Sequence, residues 1–178
     1  MIDLQNATDL WDKTLETNDE IYQKFLMGTK SLPYLKDHRN WVKQRNHGYG
    51  EDPFHYVWYS LCKDLHNSFG SVNFMEIGVY MGQVLSLIPL ISSKENIPCT
   101  FVGVTPLDSS GDQYSNYRST DYLSKITQIF VEHNLQFTPE KNLIVGSSID
   151  KEIVNKFTSR KYNLIYIDGC HEYDFVVE

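Results

Sequence analysis

Apolar side chains recur at helical spacing through residues 1–70 and predict a helical N-terminal region. Gly28 is a candidate stop for the first part of this pattern. After a polar, glycine-bearing stretch over 46–53, Asp52 is expected to cap a second helix, with Pro53 in its first turn and Gly70 at its end. The apolar face of that helix is formed by Phe54, Val57, Trp58, Leu61 and Leu65.

From residue 71 onward the pattern changes to alternating strands and helices. Short apolar runs predict strands over 72–77, 100–104, 142–145 and 162–167, and amphipathic stretches predict helices over 83–92, 121–134 and 151–157. Strands that are apolar throughout are typical of a parallel sheet covered on both faces. Right-handed crossovers then give the strand order 3-2-1-4. We expect an α/β, Rossmann-like domain over 71–178, with the N-terminal helices packed beside it.

Composition narrows the class of protein. The chain has 178 residues and a formal net charge of -7, which argues against a nonspecific nucleic-acid binder. Its three cysteines lack CxxC spacing, which favours a reduced, cytoplasmic protein. Its longest apolar run, over 84–91, contains a serine and a proline and is too short to cross a membrane.

The turn after the first strand carries Glu76, Gly78, Tyr80 and Gly82. The spacing is E-x-G-x-x-x-G, and Tyr80 interrupts the G-x-G-x-x-G pattern that cradles a dinucleotide pyrophosphate. A nicotinamide oxidoreductase is therefore disfavoured. The turn better suits an amino-acid-like ligand, whose carboxylate meets the helix N-terminus and whose amine meets Glu76. The alternative is that the glycines only allow tight packing.

The next two strands end in residues with two interpretations each. Thr105 ends the second strand, where nucleoside-binding α/β folds place an acid for the ribose hydroxyls, and Asp108 follows three residues later. Asp108 either reaches the ribose or belongs to a turn. At the end of the third strand, Ser147 and Ser148 either line an adenine pocket or cap the helix that begins near Asp150.

The fourth strand ends in Asp168, and His171 follows three residues later. A carboxylate at this position suits Mg²⁺, and a neighbouring histidine can accept a proton from a substrate hydroxyl. In the alternative interpretation Asp168 is a helix cap and His171 a surface residue. The functional interpretation is favoured because an acidic strand end and a base follow a glycine turn in one sheet.

Together these segments resemble the class I S-adenosylmethionine (SAM)-dependent methyltransferases. The more specific motif is Ile167-Asp168-Gly169-x-His171-x-Tyr173, which is similar to the I-D-G-x-H-x-Y branch that includes macrolide and sugar O-methyltransferases. The less specific motif is Glu76-x-Gly78-x-x-x-Gly82. The resemblance covers 72–178, roughly the first half of that family's catalytic domain.

The resemblance implies a function for each motif. Glu76, Gly78 and Gly82 would surround the methionine part of SAM, Asp168 would bind a cation, and His171 would act as general base on a small-molecule hydroxyl acceptor. Thr105 departs from the family's ribose-binding acid. The family fold has seven strands and this chain ends after the predicted fourth, which suggests a truncated methyltransferase that is weakly active or inactive.

Two further expectations follow. An unpaired fourth strand predicts either a homodimer through the exposed sheet edge or cover by the N-terminal helices. That helical region also offers Tyr49, His47 and Trp58 as candidates for a lid over the acceptor, although packing is the favoured role for Trp58. The competing functional hypothesis is a noncatalytic ligand-binding or assembly module on the same scaffold.

Overall fold

A four-stranded parallel sheet organises the protein. The computed structural model describes residues 15–108 and 121–169. The strands lie in the order β3-β2-β1-β4, and all neighbouring pairs are parallel. The strands are β1 (Val72–Ile77), β2 (Cys99–Thr105), β3 (Leu143–Val145) and β4 (Leu164–Ile167). The predicted α/β class and the order 3-2-1-4 are confirmed.

Seven helices surround this sheet in the described residues. They are α1 (Leu15–Ser31), α2 (Pro33–Arg45), α3 (Phe54–Phe69), α4 (Gln83–Glu95), α5 (Tyr122–Glu132), α6 (Pro139–Asn142) and α7 (Lys151–Thr158). The alternation of strands and helices follows the sequence pattern closely. The short helix α6 was not predicted, because four residues are too few to show an amphipathic period.

Two local predictions in the N-terminal region were wrong. Helix α1 continues through Gly28 to Ser31. Gly28 allows close packing instead of ending the helix, since a side chain there would overlap the ring of Tyr56 on α3. Asp52 does not cap α3, whose first turn lacks a side-chain cap. Its carboxylate instead accepts hydrogen bonds from Arg39 and Lys43 of α2.

The two faces of the sheet differ in what covers them. On β1, alternation directs Phe74 and Glu76 to one face and Met75 to the other. The face of Phe74 carries the larger core, to which helices α2 to α5 contribute. The face of Met75 carries a smaller core that includes Ile153 of α7. Glu76 therefore points towards helices α2 to α5, and the site lies on this face of the sheet.

Strand β4 is an edge of the sheet in the described residues, since it pairs only with β1. Ile165 and Ile167 lie opposite Met75 and Ile77, and they are 51% and 66% exposed. This end of the sheet thus presents apolar surface on the face of the smaller core.

None of the helices in the described ranges is long and apolar enough to span a membrane.

Candidate functional site

The ends of β1 and β4 form one crevice. The Asp168 amide donates to the Ile77 carbonyl at 2.8 Å, and the Gly78 amide donates to the Val104 carbonyl at 2.9 Å. Gly78 has a φ of +93°, and a Cβ at this position would overlap the carbonyl of Asp168 and the Cα of Gly169. Glycine is therefore required here both for the left-handed backbone and for the close approach of the two strand ends.

A cavity of about 150 Å³ opens at this junction. Four of the residues predicted from sequence line it: Glu76, Gly78, Tyr80 and Asp168. Its volume is below the roughly 300–1,000 Å³ of a typical small-molecule pocket, so it encloses parts of ligands rather than a whole ligand.

Glu76 is the buried acid of this cavity. It is 4% exposed, and its Oε2 has no hydrogen-bond partner among the described residues. Burial, and then the charge of Asp168, raise the pKa of Glu76 to about 8, while a hydrogen bond with the backbone of Leu85 acts in the opposite direction. The cavity therefore holds a buried acid whose Oε2 can accept a hydrogen bond from a cationic or hydrogen-donating ligand.

Asp168 is held by a neighbour on its own strand. The Tyr166 hydroxyl donates to Oδ2 of Asp168 at 2.9 Å. Burial and the nearby Asp168 carboxylate raise the pKa of Tyr166, so the phenol stays protonated and remains a donor. The Tyr166 ring also contacts Trp58 edge-on, with the ring centroids 5.1 Å apart. Because Tyr166 lies opposite Glu76 in the β1–β4 register, both side chains are on the face of the sheet that carries the larger core.

The N-terminal region supplies the other wall of the cavity. Gly48, Tyr49, Gly50, Phe54 and Trp58 all line it. Tyr49 and Trp58, two of the lid candidates, line the cavity, and Trp58 also packs on Phe74, the role favoured for it from the sequence. Sequence reasoning missed Gly48, Gly50 and Phe54, although the glycine-bearing stretch over 46–53 was a signal for a loop that approaches a ligand.

His47 has a different role from the predicted one. It is 2% exposed, does not line the cavity, and its Nε2 donates to the Lys125 carbonyl at 3.0 Å. It joins the loop to α5, and we assign it a structural role.

Arg39 fixes the 46–53 loop from the side of helix α2. Its guanidinium contacts the Asp52 carboxylate at 2.9 Å and donates to the backbone carbonyls of Tyr49 and Gly50. Gln83, at the start of α4, donates from Nε2 to the same Tyr49 carbonyl at 3.0 Å. The 46–53 loop, which carries Tyr49 of the cavity wall, is thus held by several polar contacts rather than by packing alone.

The other predicted cofactor residues lie outside the cavity lining. Gly82, at the start of α4, has a φ of +86°. It packs against Ile126 of α5. Thr105 is buried, and its hydroxyl donates to the Val79 carbonyl at 3.1 Å and accepts from the Leu107 amide. Asp108 and Ser147 also lie outside the lining, and the Ser147 carbonyl accepts the Asp150 amide at 3.1 Å.

Asp168 is the described residue of the predicted cation site. His171 lies outside the described residues. Within residues 15–108 and 121–169, no three His, Cys, Asp or Glu side chains are grouped to hold a metal ion. Asp168 is a suitable oxygen ligand, but the described donor set does not fit a complete Mg²⁺ site.

A comparison with protein-family models found no match, and a comparison with curated proteins found none either.

Proposed function

We propose that the protein is a SAM-dependent methyltransferase that acts on a hydroxyl group of a small molecule. One observation carries this proposal: the glycine turn after β1 and the acidic end of β4 meet in one crevice that contains a buried, unpartnered carboxyl oxygen. Ligands of open parallel sheets bind at the carboxyl ends of the strands, where this crevice lies.

The residues around the β1 turn fit the amino-acid end of SAM. Gly78 lines the cavity beside Glu76, and Oε2 of Glu76 is an acceptor for an ammonium group. A bound cation would favour the ionised form of Glu76 and lower its pKa. When bound, SAM supplies an electrophilic methyl carbon.

The other residues of the site would orient the acceptor and remove its proton. Tyr49 and Trp58 line the cavity on the side of the N-terminal region, and Tyr166 orients Asp168. His171, three residues after Asp168 in the sequence, is the proposed general base for the acceptor hydroxyl. Alignment of the acceptor oxygen with the methyl carbon would supply much of the rate acceleration.

The direct test is methyl transfer from isotopically labelled SAM to a panel of small hydroxyl compounds, with and without Mg²⁺, followed by mass spectrometry. We expect a methylated product from the wild-type chain, however slowly it forms. His171→Ala should remove this product while SAM affinity stays within about two-fold. SAM binding without any methylated product would favour the noncatalytic module, and wild-type turnover in His171→Ala would remove His171 as the base.

A further inference from the structure

The cavity lined by Glu76 and Asp168 has the chemistry of a site for an organic cation. Its described lining contains two carboxylates, Glu76 and Asp168, and no lysine, arginine or histidine. The nearby guanidinium of Arg39 does not line the cavity and is paired with Asp52 at 2.9 Å. A negatively charged ligand would therefore meet repulsion that no basic side chain of the described lining offsets.

Aromatic rings make up much of the rest of the wall. Tyr49 and Tyr80 form one pair, with ring centroids 5.4 Å apart, and Trp58 and Tyr166 form a second pair at 5.1 Å. All four residues line the cavity together with the two carboxylates. A cation within about 6 Å of an aromatic face is attracted by the ring quadrupole, most strongly at tryptophan.

The two carboxylates also occupy different places in the cavity wall. Glu76 is buried within β1, whereas Asp168 is exposed at the end of β4, beside Tyr166 and its partner Trp58. If Glu76 receives the ammonium of SAM, Asp168 and the Trp58–Tyr166 pair still form an acidic, aromatic surface for a second positive group.

We propose that the methyl acceptor carries an ammonium group, which Asp168 and the Trp58–Tyr166 pair bind. The substrate class is thus a hydroxyl compound with a basic amine, such as an amino alcohol or an amino sugar. This assignment of the cation to the acceptor rests on the proposed methyltransferase function. The cation preference itself stands on the cavity lining.

The test compares three small probes that share one ring and differ in charge. Benzylamine is cationic at pH 7, benzyl alcohol is neutral and benzoate is anionic. Calorimetric titration of the wild-type protein should show benzylamine binding at least ten-fold more tightly than benzyl alcohol, and benzoate more weakly than either. Equal affinity for benzylamine and benzyl alcohol, a preference for benzoate, or no binding of any probe at about 10 mM would each overturn the proposal.

Repeating the titration with saturating S-adenosylhomocysteine (SAH) separates the two parts of the assignment. Benzylamine affinity should stay within about three-fold, since the acceptor amine and the SAM amine have different partners. Competition between the two would show that benzylamine occupies the cofactor's own amine position, which would overturn the acceptor assignment. Cation preference without any SAH binding would overturn the methyltransferase proposal and leave the cation site standing.

Variants locate the bound cation. Asp168→Asn and Trp58→Leu should each weaken benzylamine binding about ten-fold while benzyl alcohol binding changes less in Asp168→Asn. Phe69→Ala removes an aromatic ring that is 66% exposed and is not part of the cavity lining, so it serves as the matched control. Unchanged benzylamine affinity in Asp168→Asn would contradict the proposal. Because the three-probe comparison needs only the wild-type chain, misfolding of a variant does not affect it.

Discussion

The bare Cα of Gly78 lies against the backbone carbonyl of Asp168, so the turn after β1 and the end of β4 touch without an intervening side chain. This contact brings together two motifs that lie 90 residues apart in the chain. It also defines one end of the cavity, which both residues line.

Gly78→Ala should separate the two strand ends and destroy the ligand site. The added Cβ would overlap backbone atoms of Asp168 and Gly169, which have no flexible side chain to move aside. We expect SAH affinity to fall at least ten-fold, measured by calorimetry. Gly70→Ala is the matched control: its φ of +74° gives a similar backbone penalty of about 1 kcal/mol, but no atom lies within 4 Å of the new Cβ. Equal SAH affinity in both variants would contradict the close-contact argument.

Glu76→Gln should change how stability depends on pH. Because the folded-state pKa of Glu76 is raised from 4.5 to about 8, its stabilising contribution is complete below pH 4.5 and is lost as pH rises towards 8. Relative to Glu76→Gln, the wild type should lose about 1 kcal/mol of unfolding free energy per pH unit over part of this range. Urea unfolding at pH 5 to 9 measures this difference. The same substitution at the exposed Glu20 should leave the pH dependence unchanged, and a parallel pair of wild-type and Glu76→Gln curves would contradict the account.

A buried chain of polar contacts joins helices α2, α3 and α4. The Ser86 hydroxyl donates to the Gln83 carbonyl, so its oxygen accepts the Nε2–H of His38 at 3.0 Å. Nδ1 of His38 is then the acceptor for the Nε2–H of His55 at 2.9 Å. This arrangement requires a neutral His38 imidazole, since a proton on Nδ1 of His38 would face the N–H of His55. Burial disfavours the charged form of His55 as well.

Acid should therefore destabilise the packing of helices α2, α3 and α4. Burial lowers the pKa of His38 and lowers that of His55 to about 3, with Arg39 and His133 acting in the same direction on both and Asp52 opposing the shift of His55. A depressed histidine pKa means that the unfolded chain binds the proton first, so stability is lost as pH falls below about 6.5.

His55→Gln, which keeps a side-chain N–H donor, tests this prediction. Its unfolding free energy should fall less steeply between pH 6.5 and 4 than that of the wild type, by up to about 1.4 kcal/mol per pH unit. His66→Gln, at the end of α3, is the control. Glu76 contributes the opposite slope to both proteins, so only the difference between the curves is diagnostic. Identical slopes for wild type and His55→Gln would rule out the buried histidines as the source of acid sensitivity.

The exposed apolar face of β4 should support self-association. Ile165 is 51% exposed on a strand that pairs on one side only in the described residues. Ile165→Lys should lower the dimer fraction in sedimentation experiments, because a lysine at a sheet edge opposes edge-to-edge pairing. Val131→Lys changes a residue that is 69% exposed on α5 and should have no effect. A wild-type protein that remains monomeric at about 100 µM would contradict the prediction.

The sheet was predictable because its strands are short apolar runs separated by helix-length segments, a pattern that constrains topology through the handedness of the crossovers. The crevice was predictable for the same reason: carboxyl ends of adjacent parallel strands meet at one edge, which places Gly78 beside Asp168. Both residues follow from local sequence and one topological rule.

Other parts of the site depend on tertiary contacts that a sequence pattern does not contain. Asp52 has the residue type and position of a helix cap, but the guanidinium of Arg39, thirteen residues earlier, provides a stronger partner. Thr105 stands at the expected strand end, yet its hydroxyl bonds to the Val79 carbonyl. Phe54 looked like a residue of the helix's core-facing stripe, and only the packing of α3 on the sheet shows that it lines the cavity.

Backbone NMR titration with SAH tests the central claim most directly. If the glycine turn and the end of β4 form a single ligand crevice, the amide signals of Gly78 and Asp168 should shift together and saturate with one dissociation constant, while those of α7 stay unchanged. Shifts at only one of the two residues, or at neither with about 1 mM SAH, would contradict the account.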